Sequence, residues 1–163
     1  MKHFFFFFFI LFLTLSSAQD ATTYYLIRHA EKERSDPSNA NPELTTVGHQ
    51  RAEKWRSVFE SIHFDAIYST ALNRTMQTAQ PTAEAHQLAI LHYDPRQLYS
   101  SAFQKATQGK TVLIVGHSNT TPAFVNAILG EDKYNDIADD NNANLYVVTQ
   151  LGSETTSFIL KIE

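Results

Sequence analysis

The chain has 163 residues, a formal net charge of −4 and no cysteine. Its length fits one domain, and the lack of cysteine excludes disulfides, thiolate metal sites and a cysteine nucleophile. No basic cluster is dense enough to suggest nucleic acid, and beyond the N-terminus no apolar run approaches the ~20 residues of a membrane-spanning helix.

Seven of the 12 phenylalanines fall within the first twelve residues. Lys2 and His3 precede an apolar run from Phe4 to Leu15, followed by Ser16-Ser17-Ala18. A basic start, an apolar stretch too short to span a bilayer and small residues at the end make a secretory signal peptide. Residues 1–18 are therefore expected to be removed, leaving a mature domain over 19–163 that is periplasmic or secreted and holds no membrane contact. An uncleaved N-terminal anchor is the alternative.

Thr23 to Ile27 is a short aromatic and apolar run that reads as a buried strand. Residues 31–43, polar and carrying Pro37 and Pro42, read as a loop. Thr45 or Thr46 can cap a helix whose apolar face is Val47, Ala52, Trp55, Val58, Phe59 and Ile62. Asp65 to Ser69 is a second strand. Leu72, Met76, Ala79 and Ala83 keep helical spacing, with Pro81 expected to kink or divide that helix. Leu88 to Leu91 is a third strand, closed by Asp94-Pro95, and a third helix is expected over Arg96 to Thr107.

Thr111 to Gly116 is continuous and β-branched, as a strand buried on both faces should be. Thr120 or Thr121, with Pro122 just inside, opens a helix that ends at Gly130. Residues 131–143 read as an acidic, Asn-rich loop. Its Asp132, Asp136, Asp139 and Asp140 lack the glycine and closing glutamate of a calcium loop, and fit a solvated loop near a pocket rim. Leu145 to Gln150 and Ser157 to Ile162 read as two last strands joined near Gly152. The alternation predicts a three-layer α/β/α sandwich around a mostly parallel sheet.

Ligands of such sheets sit at the carboxyl ends of the strands. Arg28 and His29 follow the first strand, Ser69 and Thr70 the second with Arg74 a turn later, Tyr93 and Asp94 the third, and Gly116 to Asn119 the fourth. Two guanidiniums and two imidazoles thus converge on one edge. Fixed guanidinium forks suit a multiply charged oxyanion, most naturally phosphate. A neutral imidazole beside them is a candidate nucleophile, and a second one a hydrogen-bond partner for the transferring group. The other histidines, His49, His63, His86 and His92, fit no common zinc spacing, so no metal and no cofactor is expected.

The segment Tyr25-Leu26-Ile27-Arg28-His29-Ala30-Glu31 resembles the Arg-His-Gly-Glu opening of the histidine phosphatase, or phosphoglycerate mutase-like, superfamily. Leu44-Thr45 with Gly48 and Ala52 is similar to its Leu-Thr-x-x-Gly helix start. Tyr68 to Ala79 resembles its Ser-x-x-x-Arg-x-x-x-Thr-Ala block, and Val115 to Asn119 its Gly-His block. The matches fall in family order, and the length is similar to the compact phosphohistidine phosphatases. Ala30 replaces the usual glycine, Asn119 stands where one branch carries an acid, and the insert bearing a general-acid glutamate is missing.

The resemblance implies that His29 attacks phosphorus while Arg28, Arg74 and His117, with Asn119 nearby, hold the phosphoryl oxygens. The substrate would be a small phosphorylated compound or a phosphoprotein. Asp94, at the ligand edge, and Glu31, two residues past His29, are the candidate proton donors, and a site without any donor is the third option. A binding module that has lost turnover and a metal-dependent hydrolase are the readings from other classes.

Overall fold

The β-branched run Thr111–Gly116 lies in the middle of the sheet, as its unbroken apolar character requires. The computed structural model describes residues 20–163, so the expected signal peptide lies outside the described residues. The elements are β1 (Thr22–Arg28), α1 (Thr46–Val58), β2 (Ala66–Ser69), α2 (Asn73–His86), β3 (Ile90–His92), α3 (Ser101–Thr107), β4 (Thr111–Gly116), α4 (Thr120–Leu129), β5 (Asn144–Leu151) and β6 (Glu154–Lys161). The six strands form one sheet in the order β3-β2-β4-β1-β5-β6. β1, β4, β2 and β3 pair in parallel, and β5 and β6 add antiparallel. The mostly parallel α/β sandwich predicted by the alternation is the fold observed.

Side chains alternate between the two faces of each strand. On one face Tyr24, Leu26, Val112, Ile114, Tyr146 and Val148 pack with Phe103 of α3 and with Phe124, Val125 and Ile128 of α4. On the other, Ile27, Leu113, Val115, Leu145 and Val147 pack with Trp55 of α1 and with Ala79 and Ala83 of α2. Each fully buried large side chain contributes about 1.5–3 kcal/mol. A one-residue slip would exchange the two sets, so the apolar pattern fixes the register.

β3 starts two residues later than read, at Ile90, and Val47 of the expected α1 apolar face is exposed; three further departures have a plain physical reason. α2 runs unbroken through Pro81 to His86, because Ala79 and Ala83 stay buried in the core on either side of it and outweigh the missing donor. α3 begins at Ser101 rather than Arg96: Ser100 caps it by accepting from the Phe103 N–H, and residues before it are spent in a turn. β6 begins at Glu154, three residues early, because Gly152 with φ +61 makes a tight two-residue turn after Leu151.

The start of α1 fastens the loop that leaves β1. Thr45 caps the helix by accepting from the Gly48 N–H at 3.0 Å, and its own N–H donates to the Glu31 carbonyl at 2.9 Å. Gly48 lies so close that a Cβ there would stand 2.1 Å from the Glu31 carbonyl oxygen. Buried Ala30 packs on Leu44 and Ala52 beneath this crossing. Gly48→Ala should therefore cost about 1–3 kcal/mol, the range for overpacking against backbone. Denaturant unfolding checks this, and an unchanged midpoint would contradict the contact.

Candidate active site

In the β1–β4 register Arg28 stands opposite Gly116. The next residues on the two strands are therefore His29 and His117, and their ring centroids lie 5.5 Å apart at 65°. The His29 backbone is held on all sides. Its N–H donates to the Gly116 carbonyl at 2.9 Å, its carbonyl accepts from Asn142 Nδ2 at 2.8 Å, and the following Ala30 N–H donates to Thr78 Oγ1 at 2.9 Å.

The tautomer of His29 follows from its partner. Nδ1 lies 2.7 Å from the Ala30 carbonyl oxygen, which can only accept. Nδ1 therefore carries the proton, and in the neutral ring Nε2 keeps its lone pair. His117 is held through Nε2, 3.0 Å from the Thr70 hydroxyl, which in turn lies 2.8 Å from the Thr75 hydroxyl. The turn between β4 and α4 is tight as well: a Cβ on Gly116 would stand 2.8 Å from both the Thr121 and the Tyr93 hydroxyl oxygens.

Both rings are poor bases. Burial first, then the Arg28 and Arg74 guanidiniums, lower His29 to about 3 against the opposing pull of the Ala30 carbonyl. Burial and then Arg74 and Arg28 lower His117 to about 4. Desolvation is the larger cause of the neutral His29 ring, and the neighbouring cations add to it.

The guanidiniums differ from each other. Arg28 is 3% exposed. Its Nη1 donates to the Ala138, Asp139 and Asn141 carbonyls at 2.9–3.0 Å, and its Nη2 to Asp139 Oδ1 at 3.0 Å. Its Nη pair is thus committed to the 138–141 loop, and only Nε, buried and without a partner among the described residues, is left beside the shared Nη2. Arg74 is the freer one: Nε and Nη1 are buried with no partner among the described residues, and burial lowers its affinity for a proton. Unmatched buried donors of this kind are costly unless an acceptor reaches them.

Arg28, His29, Arg74, His117 and Asn119 line one cavity of about 400 Å³, which Lys32, Arg34, Pro95 and Asp139 also line. Asn119 turns its Oδ1 back to accept from the Thr120 N–H at 2.9 Å and so caps α4. The two candidate acids are otherwise engaged. Asp94 does not line the cavity. Its carboxylate is paired with Arg96, at 3.0 Å to Nε and 2.9 Å to Nη2, and takes the Arg96 N–H at 3.0 Å in the turn at Pro95. This corrects the expectation that Asp94 reaches the reacting group. Glu31 is clamped by Arg51 Nε at 2.7 and 3.0 Å, so it holds the loop against α1.

Asn142, Thr78, Thr70, Lys32, Arg34 and Asp139 complete the site and had been given no role from the sequence. Thr70 and Thr78 lie in the Ser-x-x-x-Arg-x-x-x-Thr-Ala block and Asp139 in the loop read as lying near a pocket rim, which were the local signals for them. Asn142 and Asp139 reach β1 from more than 100 residues away.

Two imidazoles, the buried Arg28 and the half-buried Arg74 lie together at the carboxyl edge of the parallel strands, an arrangement that suits a tetrahedral oxyanion. Residues 24–96 match the family model of the histidine phosphatase superfamily (branch 1). The matched segment, which runs from β1 through β3, carries Arg28, His29 and Arg74. Comparison with curated protein sequences finds no match. Among solved structures, the SixA protein of Agrobacterium tumefaciens, named provisionally as a phosphohistidine phosphatase, is 23% identical with a TM-score of 0.60, covering 83% of this chain and 97% of its own. A mycobacterial glucosyl-3-phosphoglycerate phosphatase is 14% identical with a TM-score of 0.69, over 88% and 100%. The protein histidine phosphatase SixA in complex with tungstate is 15% identical with a TM-score of 0.67, over 85% and 96%. At these identities the likeness is one of fold.

The low proton affinities give a stability signature. Unfolded histidines take protons near pH 6.5, whereas folded His29 and His117 take them only near 3 and 4. The unfolded state therefore binds more protons below about pH 6.5, and stability must fall as pH drops from there towards 4. The loss should be on the order of 2–4 kcal/mol for the pair. Denaturant unfolding at pH 7 and pH 4.5 should show a smaller loss in His29→Gln/His117→Gln than in the wild type. An equal loss would place the pH dependence elsewhere.

Proposed function

We propose that this protein is a phosphatase that works through a phosphohistidine on His29. The observation that carries this reading is the pairing of a Nδ1-anchored, neutral His29, whose Nε2 lone pair is left for attack, with the unmatched buried donors of Arg74 and Arg28. His29 Nε2 attacks phosphorus, the bond from phosphorus to the leaving group breaks, and the leaving group departs with its electron pair. Water then attacks the phosphohistidine, releases inorganic phosphate and restores the Nε2 lone pair. Arg74, the Arg28 Nε–Nη2 side and His117 Nδ1 stabilise the equatorial oxygens, so catalysis is chiefly positioning and preorganised charge.

The substrates are phosphomonoesters or phosphoramidates. Asp94 and Glu31 are both paired away from the reacting group, which favours leaving groups that need no enzyme proton: activated aryl esters and phosphoramidates over alkyl phosphates. Tungstate in complex with the SixA neighbour supports the use of tungstate or vanadate as inhibitors. His29→Ala should lower turnover of p-nitrophenyl phosphate at least ~10³-fold, and rapid acid-free quenching of the wild type should yield a base-stable phosphohistidine. Near-normal turnover in that variant would end the proposal.

We further propose that the protein is exported and cleaved after Ala18, on the strength of Lys2, the apolar run to Leu15 and Ser16-Ser17-Ala18. Mass spectrometry of the protein recovered outside the cytoplasm should find Gln19, or its cyclised form, at the N-terminus. Intact Met1-containing chain retained in the membrane would sink this.

A further inference from the structure

Beside the phosphoryl seat, the loop that leaves β1 brings two more cations to the cavity. Lys32 and Arg34 line it together with Arg28 and Arg74, in a chain whose formal charge is −4. One carboxylate answers them: a single oxygen, Asp139 Oδ1, accepts from Arg28 Nη2 at 3.0 Å and from Arg34 Nη2 at 2.9 Å. Lys32 makes no ion pair within 4.0 Å among the described residues, and its backbone is pinned by a bridge to Leu44. The positive charges of Arg74 and Arg34, after burial, lower its proton affinity, with Asp139 as the one opposing charge. Glu31 and Asp140 line a smaller adjoining cavity with Lys32 and Arg34; Glu31 is spent on Arg51, and Asp140 makes no ion pair within 4.0 Å among the described residues.

We propose that Lys32 and Arg34 form a second anion-binding subsite, so that the preferred substrate carries a second anionic group, phosphoryl or carboxylate, a few bonds from the scissile phosphorus. The proposal rests on the phosphatase reading of the same cavity. Asp139 marks where that second group binds. Its oxygen joins Arg28 to Arg34, so the two seats lie within about two charge-assisted hydrogen bonds of each other. The side chains of Arg34 and Asp139 are 55% and 73% exposed. An exposed pair of this kind is weak, and an incoming dianion that also engages Lys32 displaces the carboxylate. Arg28 keeps its three carbonyl bonds when this happens and does not move.

The test compares meta-carboxyphenyl phosphate, its methyl ester and meta-phosphonophenyl phosphate, whose phenol leaving groups are similar. The purified wild type should show a KM about 10–100-fold lower for the free carboxylate than for the ester, the value of a charge-assisted contact. The phosphono compound should be at least as good, and the two compounds together separate carboxylate from phosphoryl preference. In Lys32→Gln/Arg34→Gln the carboxylate-to-ester ratio should fall to about one. The single variants should each lose part of it. Equal KM values in the wild type, or a preference kept in the double variant, would overturn the subsite. Calorimetric titration of the three compounds into His29→Ala keeps the two readings apart. Ranked affinities without any wild-type turnover would reject the phosphatase and keep the subsite; turnover without ranking would do the reverse.

Discussion

The parallel pairing of β1 with β4 is the constraint on which the site depends. Its last hydrogen bond, from the His29 N–H to the Gly116 carbonyl, sits where the sheet ends and the chemistry begins. Because Arg28 faces Gly116, both histidines leave the sheet as neighbours. The register itself is held far from them, by two apolar faces that a one-residue slip would exchange. The position of two imidazoles is thus set by the packing of Tyr24, Leu26, Ile27, Val112 and their neighbours. Interiors this dense have few alternative arrangements.

The same rigidity explains how buried cations are tolerated. A guanidinium taken out of water needs acceptors. Arg28 finds three backbone carbonyls and one carboxylate in the 138–141 loop, so it works as the strut that brings this loop to the end of β1. Asn142, which follows, then reaches the His29 carbonyl. Arg74 has no such partners for Nε and Nη1. One arginine ties a loop to the cavity wall and the other keeps two buried nitrogens unmatched among the described residues, a difference that no local pattern marks.

What could be read from the sequence was whatever depends on local order. Apolar period marked each strand and helix, and strand ends marked His29, His117 and Arg74. Side-chain direction is another matter. Asp94 stands after β3 as expected, yet Arg96, two residues on, captures its carboxylate in the turn at Pro95. Pro81 argues for a break that two buried alanines overrule. Asp139 and Asn142 come from an Asn-rich loop with no periodic pattern, and only the fold brings them to β1. Lys32 and Arg34 looked like loop charges because their significance lies in what surrounds them: Arg28 and Arg74 on one side and a single carboxylate on the other.

The electrostatics also bear on which bonds such a cavity can break. A proton donor must hold its proton at working pH and reach the leaving group. Of the carboxyls at this edge, Glu31 is clamped by Arg51 and Asp94 by Arg96. Asp139 does line the cavity, but hydrogen bonds from Arg34 and then Arg28 hold it at about 2. It is therefore an anion over the whole physiological range and cannot donate. The imidazoles, at about 3 and 4, carry no acidic proton at neutral pH either. On the phosphatase reading proposed above, a cavity so biased towards positive fixed charge would stabilise a transferring phosphoryl group strongly and assist the departing atom little. Leaving groups that depart as stable anions, or that arrive with a nitrogen already able to take a proton from water, are matched to it. Alkyl oxygens are not.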